Sequence, residues 1–487
     1  MKRTSRLTRR QALHYAGGAL AGAAVLPTHA IAADAPHPVT LKLAEYMATA
    51  GAKSLPADAV EHAKHHILDT FAAMISGCDL PPGRVALKFA AAHNAEKVAT
   101  IAASRFACSA MDAAMVNGML AHSDETDDTH APSHSHPGCS IVPAALAAGE
   151  QFGVDGTRFL RSVTLGYDIG TRITSTLGAL KYQMETHRST HSIASDFGAS
   201  AAAGCAAGLD EHQMRWLLDY AAQQASGIVA WQRDTEHVEK SLVFGGFPAR
   251  NGVAAALLIQ LGGSGVEDVF TGTDNFLLAF GAKNPLESLT DKLGERFEVT
   301  RTSIKKWTVG SPIQAVLDSI YNLQKKQSFA IDQVEKVTVR VASSEANTVN
   351  NRDMPDICLQ HMAAIMLIDK TASFAAAHDK PRMKDPGVLK QRAKVQLVFD
   401  EELEKLIPRR IAVVEIAFTN GTKLTERVEA VRGSAENPMG RDEVVTKAID
   451  LVTPVIGASK ASQLADTVLN IEKVKNIGEL RPLLQVS

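Results

Sequence analysis

Apolar residues recur at three- and four-residue spacing through most of the first 280 positions, the repeat of helices that bury one face. Leu41 to Ala50 and Ala57 to Ser76 show it plainly, the second opening after Ser54-Leu55-Pro56. Met111 to His122, Ile141 to Phe152, Gly156 to Leu177, Phe197 to Leu209, Glu211 to Ala225 and Arg250 to Leu261 continue the pattern. Near residue 290 the repeat changes. Val334 to Val341 alternates apolar and polar residues, the mark of a half-buried strand, and Ala393 to Phe399 does the same. Ile411 to Phe418 and Lys423 to Val428 flank Thr419-Asn420-Gly421-Thr422, a hairpin signal because Asn-Gly suits the left-handed backbone of a tight turn. Helical stretches, Ile313 to Gln324 and Leu359 to Ile368, lie between these strands, and residues 441–487 return to helical spacing. The pattern predicts a mainly α protein: a large all-helical domain (38–285 plus 430–487) and a smaller α+β lid domain (286–429).

The N-terminus reads differently. Residues 1–32 carry five cations and no acid, then an apolar run from Tyr15 to Leu26, then Ala30-Ile31-Ala32, an A-x-A cleavage pattern. That is a signal peptide. Arg9-Arg10 within Thr8-Arg9-Arg10-Gln11 resembles a twin-arginine signal, with an ordinary secretory signal as the alternative. A periplasmic location follows, with the mature chain free of the membrane. No later segment reaches the apolar length of a membrane span.

Charge and composition narrow the partners. Lys plus Arg number 51 against 53 Asp plus Glu, with no basic stripe, which argues against nucleic acid. Five cysteines form no C-x-x-C pair, so neither a disulfide framework nor a zinc ribbon is indicated.

Chemistry concentrates in His122 to Gly138. Four histidines (His122, His130, His134, His136) and four acids (Asp124, Glu125, Asp127, Asp128) fall in that loop between two helices. Histidine beside carboxylate supplies acid–base groups that titrate near neutrality. The same residues could hold a metal, or form a solvated loop that caps the next helix.

A resemblance bears on the choice. Asn117-Gly118-x-x-x-His122, Asp127-Asp128-Thr129-His130 and His136-Pro137-Gly138 resemble the signature of the MmgE/PrpD family. Thr190-His191-Ser192 with Phe197-Gly198-Ala199, Lys240 with Ala249-Arg250-Asn251-Gly252, and Gly433-x-x-x-Asn437-Pro438-Met439 match further segments in order. The family includes 2-methylcitrate dehydratases, cis-aconitate decarboxylases and an iminodisuccinate epimerase. The resemblance implies a lyase of 2-methylcitrate dehydratase type on a small di- or tricarboxylate, with no metal or organic cofactor, and a homodimer. A decarboxylase, an epimerase or a non-catalytic carboxylate-binding protein are the alternatives. Carried over residue by residue, it implies His136, His191, Lys240, Asp127 and Asp128 as catalytic, with His134 and His187 as rivals of the two first-named histidines. Glu125, Thr129, Lys305 and His361 are implied as substrate-binding. Three positions depart from the decarboxylase pattern: Glu125 replaces an Asp, Gly310 stands near a His position, and His361 stands at a Tyr position.

Overall fold

The structure is a computed structural model that describes residues 35–486; the signal segment lies outside the described residues. Helices α1 (Pro38–Ala50), α2 (Ala57–Ser76), α3 (Pro81–Ala92), α4 (Ala110–Ala121), α5 (Gly138–Phe152), α6 (Gly156–Leu177), α7 (Ala179–Thr186), α8 (Thr190–Ala207) and α9 (Glu211–Gln224) build the first part. Their shared core holds Phe71, Tyr167, Phe159 and Phe197, each fully buried. Small residues permit close packing at their crossings. A Cβ on Gly170 would sit 2.2 Å from the Ala194 carbonyl oxygen, so α6 and α8 meet backbone to backbone there. The mainly α class read from the sequence holds.

Boundaries differ in two informative places. The apolar spacing starts the eighth helix at Phe197, yet α8 begins at Thr190, with Ser189 accepting from the Ser192 N–H. His191 therefore stands in a first helical turn rather than in a loop. Helix α3 begins Pro81-Pro82-Gly83, a start that masks its spacing.

One expectation is corrected. Val238–Gln260 forms one helix (α10) that is long and apolar enough to cross a membrane by length and composition. It is broken in register by a π turn at Leu242–Gly246, and a little over half of its most apolar window is buried inside the protein.

A second core follows. Strands β1 (Val334–Ala342), β2 (Val395–Asp400), β3 (Ala412–Phe418) and β4 (Lys423–Val428) form one sheet in the order β2-β1-β3-β4. β1 pairs parallel with β2 and antiparallel with β3. A parallel pair needs a long crossover. Here it contains α12 (Ser343–Val349), α13 (Leu359–Asp369) and α14 (Phe374–His378), while α11 (Ser311–Lys326) precedes the sheet. β3 alternates buried and half-buried residues along its length, as one covered face requires. Gly421 takes φ +83° in the predicted hairpin, and Phe418 N–H bonds Thr422 O at 2.9 Å. This core runs from Trp307 to Val431, whereas apolar residues up to Ile304 and from Met439 onward join the first. The C-terminal helices α15 (Arg441–Ile456) and α16 (Ala458–Leu469) return to the helical core. A buried pair, Lys447 to Asp69 at 2.7 Å, ties α15 to α2.

Candidate active site

The loop between α4 and α5 is not solvated. His122 to Asp128 are all buried. Burying that many polar groups is costly unless each finds a partner, and the partners build the site.

Asp127 lies between two imidazoles. Its Oδ2 is 2.9 Å from His122 Nδ1 and its Oδ1 is 3.3 Å from His136 Nδ1. Burial pushes the Asp127 carboxyl up, but His122, His136 and Lys305 more than offset it, so it is held well below its ordinary value. Glu125 takes two lysines. Lys240 Nζ bonds Oε1 and Lys305 Nζ stands 3.3 Å from Oε2. Burial opposes ionisation there too, and the two ammonium groups reverse it, leaving Glu125 ionised. Lys305 also stands 3.6 Å from Asp127 Oδ1.

The remote family motifs explain how these chains converge. A Cβ on Gly118 would lie 2.4 Å from Gly245 O, and one on Gly245 2.1 Å from Gly118 O. So α4 and the π turn touch through bare backbone, which sets Lys240 and Phe244 against the loop. Gly433, at φ +97°, accepts from Ile304 N–H at 2.9 Å, and a Cβ there would meet Ile304 O at 1.9 Å. On the other side Ser303 pairs with Thr129. Lys305 is thus delivered by a segment held between the loop and the C-terminal turn.

A cavity of about 530 Å³ has a wall that includes Glu125, Thr129, His136, His191 and Lys240 from the helical core, and Gly310, Met354 and Ile357 from the other; Asp127 and Lys305, both expected at the site, lie buried behind that wall. A second, more open depression near Glu150 and Arg481 holds none of the predicted site residues. His191 stacks on Phe244 at 4.2 Å, and His122 stacks on the same ring at 4.6 Å. Lys240 Nζ sits 5.6 Å from the Trp231 ring and 5.3 Å from the Phe244 ring, within cation–π range. Burial, with neighbouring histidines and Lys240 adding, holds His191 well below its usual range. Burial also lowers His136, against the pull of Asp127. Both shifts favour the neutral ring, which can accept a proton.

The rival histidines are distinguishable. His134 also lines the cavity, but it takes φ 53°, lies against Gln183, and burial drives it to about 3. It lacks the Asp127 contact. His187 is exposed at the cavity wall, whereas His191 is buried.

Two expected residues lie elsewhere. Asp128 turns away from the cavity: it bonds His66 Nδ1 at 2.8 Å, the Tyr167 hydroxyl, and Gly138 N–H at 2.9 Å. It anchors the first turn of α5, where a carboxylate meets the positive helix end. His361 is wholly buried on α13 and is not part of the cavity wall. Being in the interior face of an apolar helix puts its ring in the second core. Three residues escaped the sequence reading. His237 takes φ 65° and brings Nε2 to 3.9 Å from Glu125 Oε1; Phe244 is aimed by the π turn; Trp231 closes the wall. His237 stands three residues before Lys240, a spacing that could have flagged it.

Two triads, His122-Asp127-His136 and His122-Glu125-His237, have ligand atoms close enough to hold a metal ion. Lys240 and Lys305 already occupy the carboxylates of both, so a cation would have to displace an ammonium group.

A helical body, a small sheet-based cap and buried paired acids, lysines and neutral histidines between them define an acid–base site of enzyme type. The sequence model of the MmgE/PrpD N-terminal domain matches residues 41–289 and that of the C-terminal domain matches residues 307–473. The chain belongs to the MmgE/PrpD family. It is similar to a cis-aconitate decarboxylase-like protein of Aspergillus oryzae, 24% identical over 485 residues, covering 92% of this chain and 97% of the relative. A cis-aconitate decarboxylase of Aspergillus terreus is also 24% identical, with 92% and 96% covered. The human cis-aconitate decarboxylase is 22% identical, with 88% and 90% covered.

Proposed function

We propose that the protein is a lyase that acts on a small di- or tricarboxylate by cofactor-free acid–base chemistry. One observation carries the reading: a neutral histidine, His136, faces the cavity with its Nδ1 toward the ionised Asp127. The carboxylate charge 3.3 Å away favours the ring proton on Nδ1, which leaves Nε2 as the basic nitrogen. Removing a proton from carbon beside a carboxylate builds negative charge on the carboxylate oxygens, which the positive charge of Lys240 at the wall, with Lys305 buried behind it, stabilises. His191 is the second neutral base in reach of the cavity.

Between reactions, water elimination of 2-methylcitrate dehydratase type is the primary reading. Its support is the pair of cap positions that depart from the decarboxylase pattern: Gly310 brings no side-chain acid or base to the wall, and His361 is withdrawn from it. Decarboxylation of cis-aconitate is the second, supported by the names of the relatives. Incubation with 2-methylcitrate, cis-aconitate and iminodisuccinate, followed by NMR of the products, decides. Loss of water or CO2 supports the lyase; deuterium exchange without net conversion moves the reading to an epimerase. If none of the three is touched, the lyase proposal fails. Twin-arginine export and a homodimer are proposals too, supported by Arg9-Arg10 with Ala30-Ile31-Ala32 and by family resemblance. Periplasmic fractionation and light scattering test them.

A further inference from the structure

The cations of the cavity wall are already engaged, with one exception. Lys240 is bonded to Glu125. Arg410 is bonded to Glu345, which is buried beside it. Even the acid left over, Asp234, has its oxygens taken by the backbone N–H groups of Glu236 and Lys240. Arg352 differs. It follows α12, directly after Asn351 at φ 47°, and its side chain reaches two carbonyl oxygens only, Thr348 O at 3.5 Å and Gln232 O at 3.3 Å. Among the described residues it meets no carboxylate at ion-pair distance, not even its neighbour Asp353. Gln232 belongs to the helical core's side of the cavity and Arg352 to the cap, so the guanidinium spans the mouth.

Two long bonds to neutral carbonyls are weak satisfaction for a planar five-donor fork. A carboxylate accepts two parallel, shorter, charge-assisted bonds from the same group. The inner cations cannot supply this freely, because each would first have to leave an acid. We propose that Arg352 forms an anion subsite at the cavity mouth that takes a carboxylate of the substrate remote from the reacting carbon. This rests on the polycarboxylate reading above and deepens it: the preferred substrate carries a carboxylate at the end pointing to the cap, and monocarboxylates are discriminated against.

The test is calorimetric titration of the purified protein with tricarballylate, a saturated tricarboxylate that has no hydroxyl to eliminate. Arg352→Gln should bind it at least tenfold more weakly, the loss expected when a bidentate charged contact is removed. Arg352→Lys, which keeps charge but not the fork, should fall between. Arg427→Gln, which removes one charge from the exposed β4 edge, should leave binding unchanged. Melting temperatures of all three variants report that they fold. Arg352→Gln binding within twofold of wild type, or an equal loss in Arg427→Gln, overturns the proposal, as does a wild type that ignores tricarballylate. The two readings separate cleanly. Arg352-dependent binding without turnover of any carboxylate keeps this subsite and sinks the lyase. Turnover of a tricarboxylate that is indifferent to Arg352 does the reverse.

Discussion

Raising the pH through about 9 should release a clasp behind the site. His378 on α14 places Nε2 3.0 Å from Asp124 Oδ2, while its Nδ1 faces Phe374 O at 2.7 Å. A carbonyl at one ring nitrogen and a carboxylate at the other suit the doubly protonated ring. Burial alone would lower the ring's pKa, but the bond to Asp124, the Asp124 charge and Asp356 together hold it up at about 9. The unfolded value is about 6.5. A pKa raised by folding contributes stability that is complete below about 6.5 and is lost as pH rises through 9. The gap of about 2.5 units corresponds to roughly 3 kcal/mol. Asp356 belongs to the same cluster, and burial pushes its carboxyl up to about 7. The measurement therefore compares His378 with His378→Gln in an Asp356→Asn background. Urea unfolding followed by circular dichroism should show a clear difference at pH 6, smaller than the roughly 3 kcal/mol of the intact cluster because Asp356 no longer contributes, that falls to under about 1 at pH 10. A difference that stays constant, or grows with pH, refutes the reasoning. Because Asp124 adjoins Glu125 in the chain, the clasp also holds the loop that grips both lysines.

Other predictions follow from the same geometry. Gly118→Ala puts a Cβ 2.4 Å from Gly245 O, so α4 and the π turn must part by about 1 Å; turnover of a confirmed substrate should fall about a hundredfold, the cost of a misplacement of that size. His136→Ala and Lys240→Ala should each cost at least a hundredfold in kcat/KM, and full activity in both would remove them from the chemistry. His361→Gln should leave KM and kcat within twofold, since the ring is not part of the cavity wall; a large KM effect would restore it to the site. Dialysis against EDTA should leave activity intact, because Lys240 and Lys305 already neutralise the carboxylates that a metal would need.

The helical class, the strand hairpin and the concentration of histidines and acids in His122 to Gly138 were legible because each is a local pattern. Spacing reports burial of one face, and Asn-Gly reports one backbone turn. The three misreadings have local causes as well. Asp127 and Asp128 are adjacent in the chain, and the loop turns their side chains to opposite sides, one to His136 and one to Tyr167. Nothing in the pair of letters states which one stands behind His136 at the cavity wall. His361 sits on a helix that is apolar around its circumference, so spacing cannot assign a direction to its ring. The π turn inserts one residue into the apolar stretch Leu242 to Phe247, where spacing gives no sign of it, and that extra residue aims Phe244 at His191.

The glycine motifs show why a site of this kind needs a whole chain rather than a loop. Asn117-Gly118 and Gly433 to Asn437 carry no acid, base or charge that faces the cavity, yet each fixes a lysine. The first lets the π turn approach α4, which sets Lys240 on Glu125; the second seats Ile304, which sets Lys305 on the other oxygen of the same carboxylate. Glu125 is longer by one methylene than the Asp that the resemblance leads one to expect, and it spans both ammonium groups. Glu125→Asp should reach only one of them. The released lysine should then lower stability, by less than the roughly 3 kcal/mol of a fully stranded buried charge, because Lys305 keeps Asp127 at 3.6 Å and Lys240 lines the cavity. Chemical denaturation of Glu125→Asp beside Glu125→Gln separates reach from charge. If Glu125→Asp matches wild type, the length of this side chain has no part in holding the two lysines together.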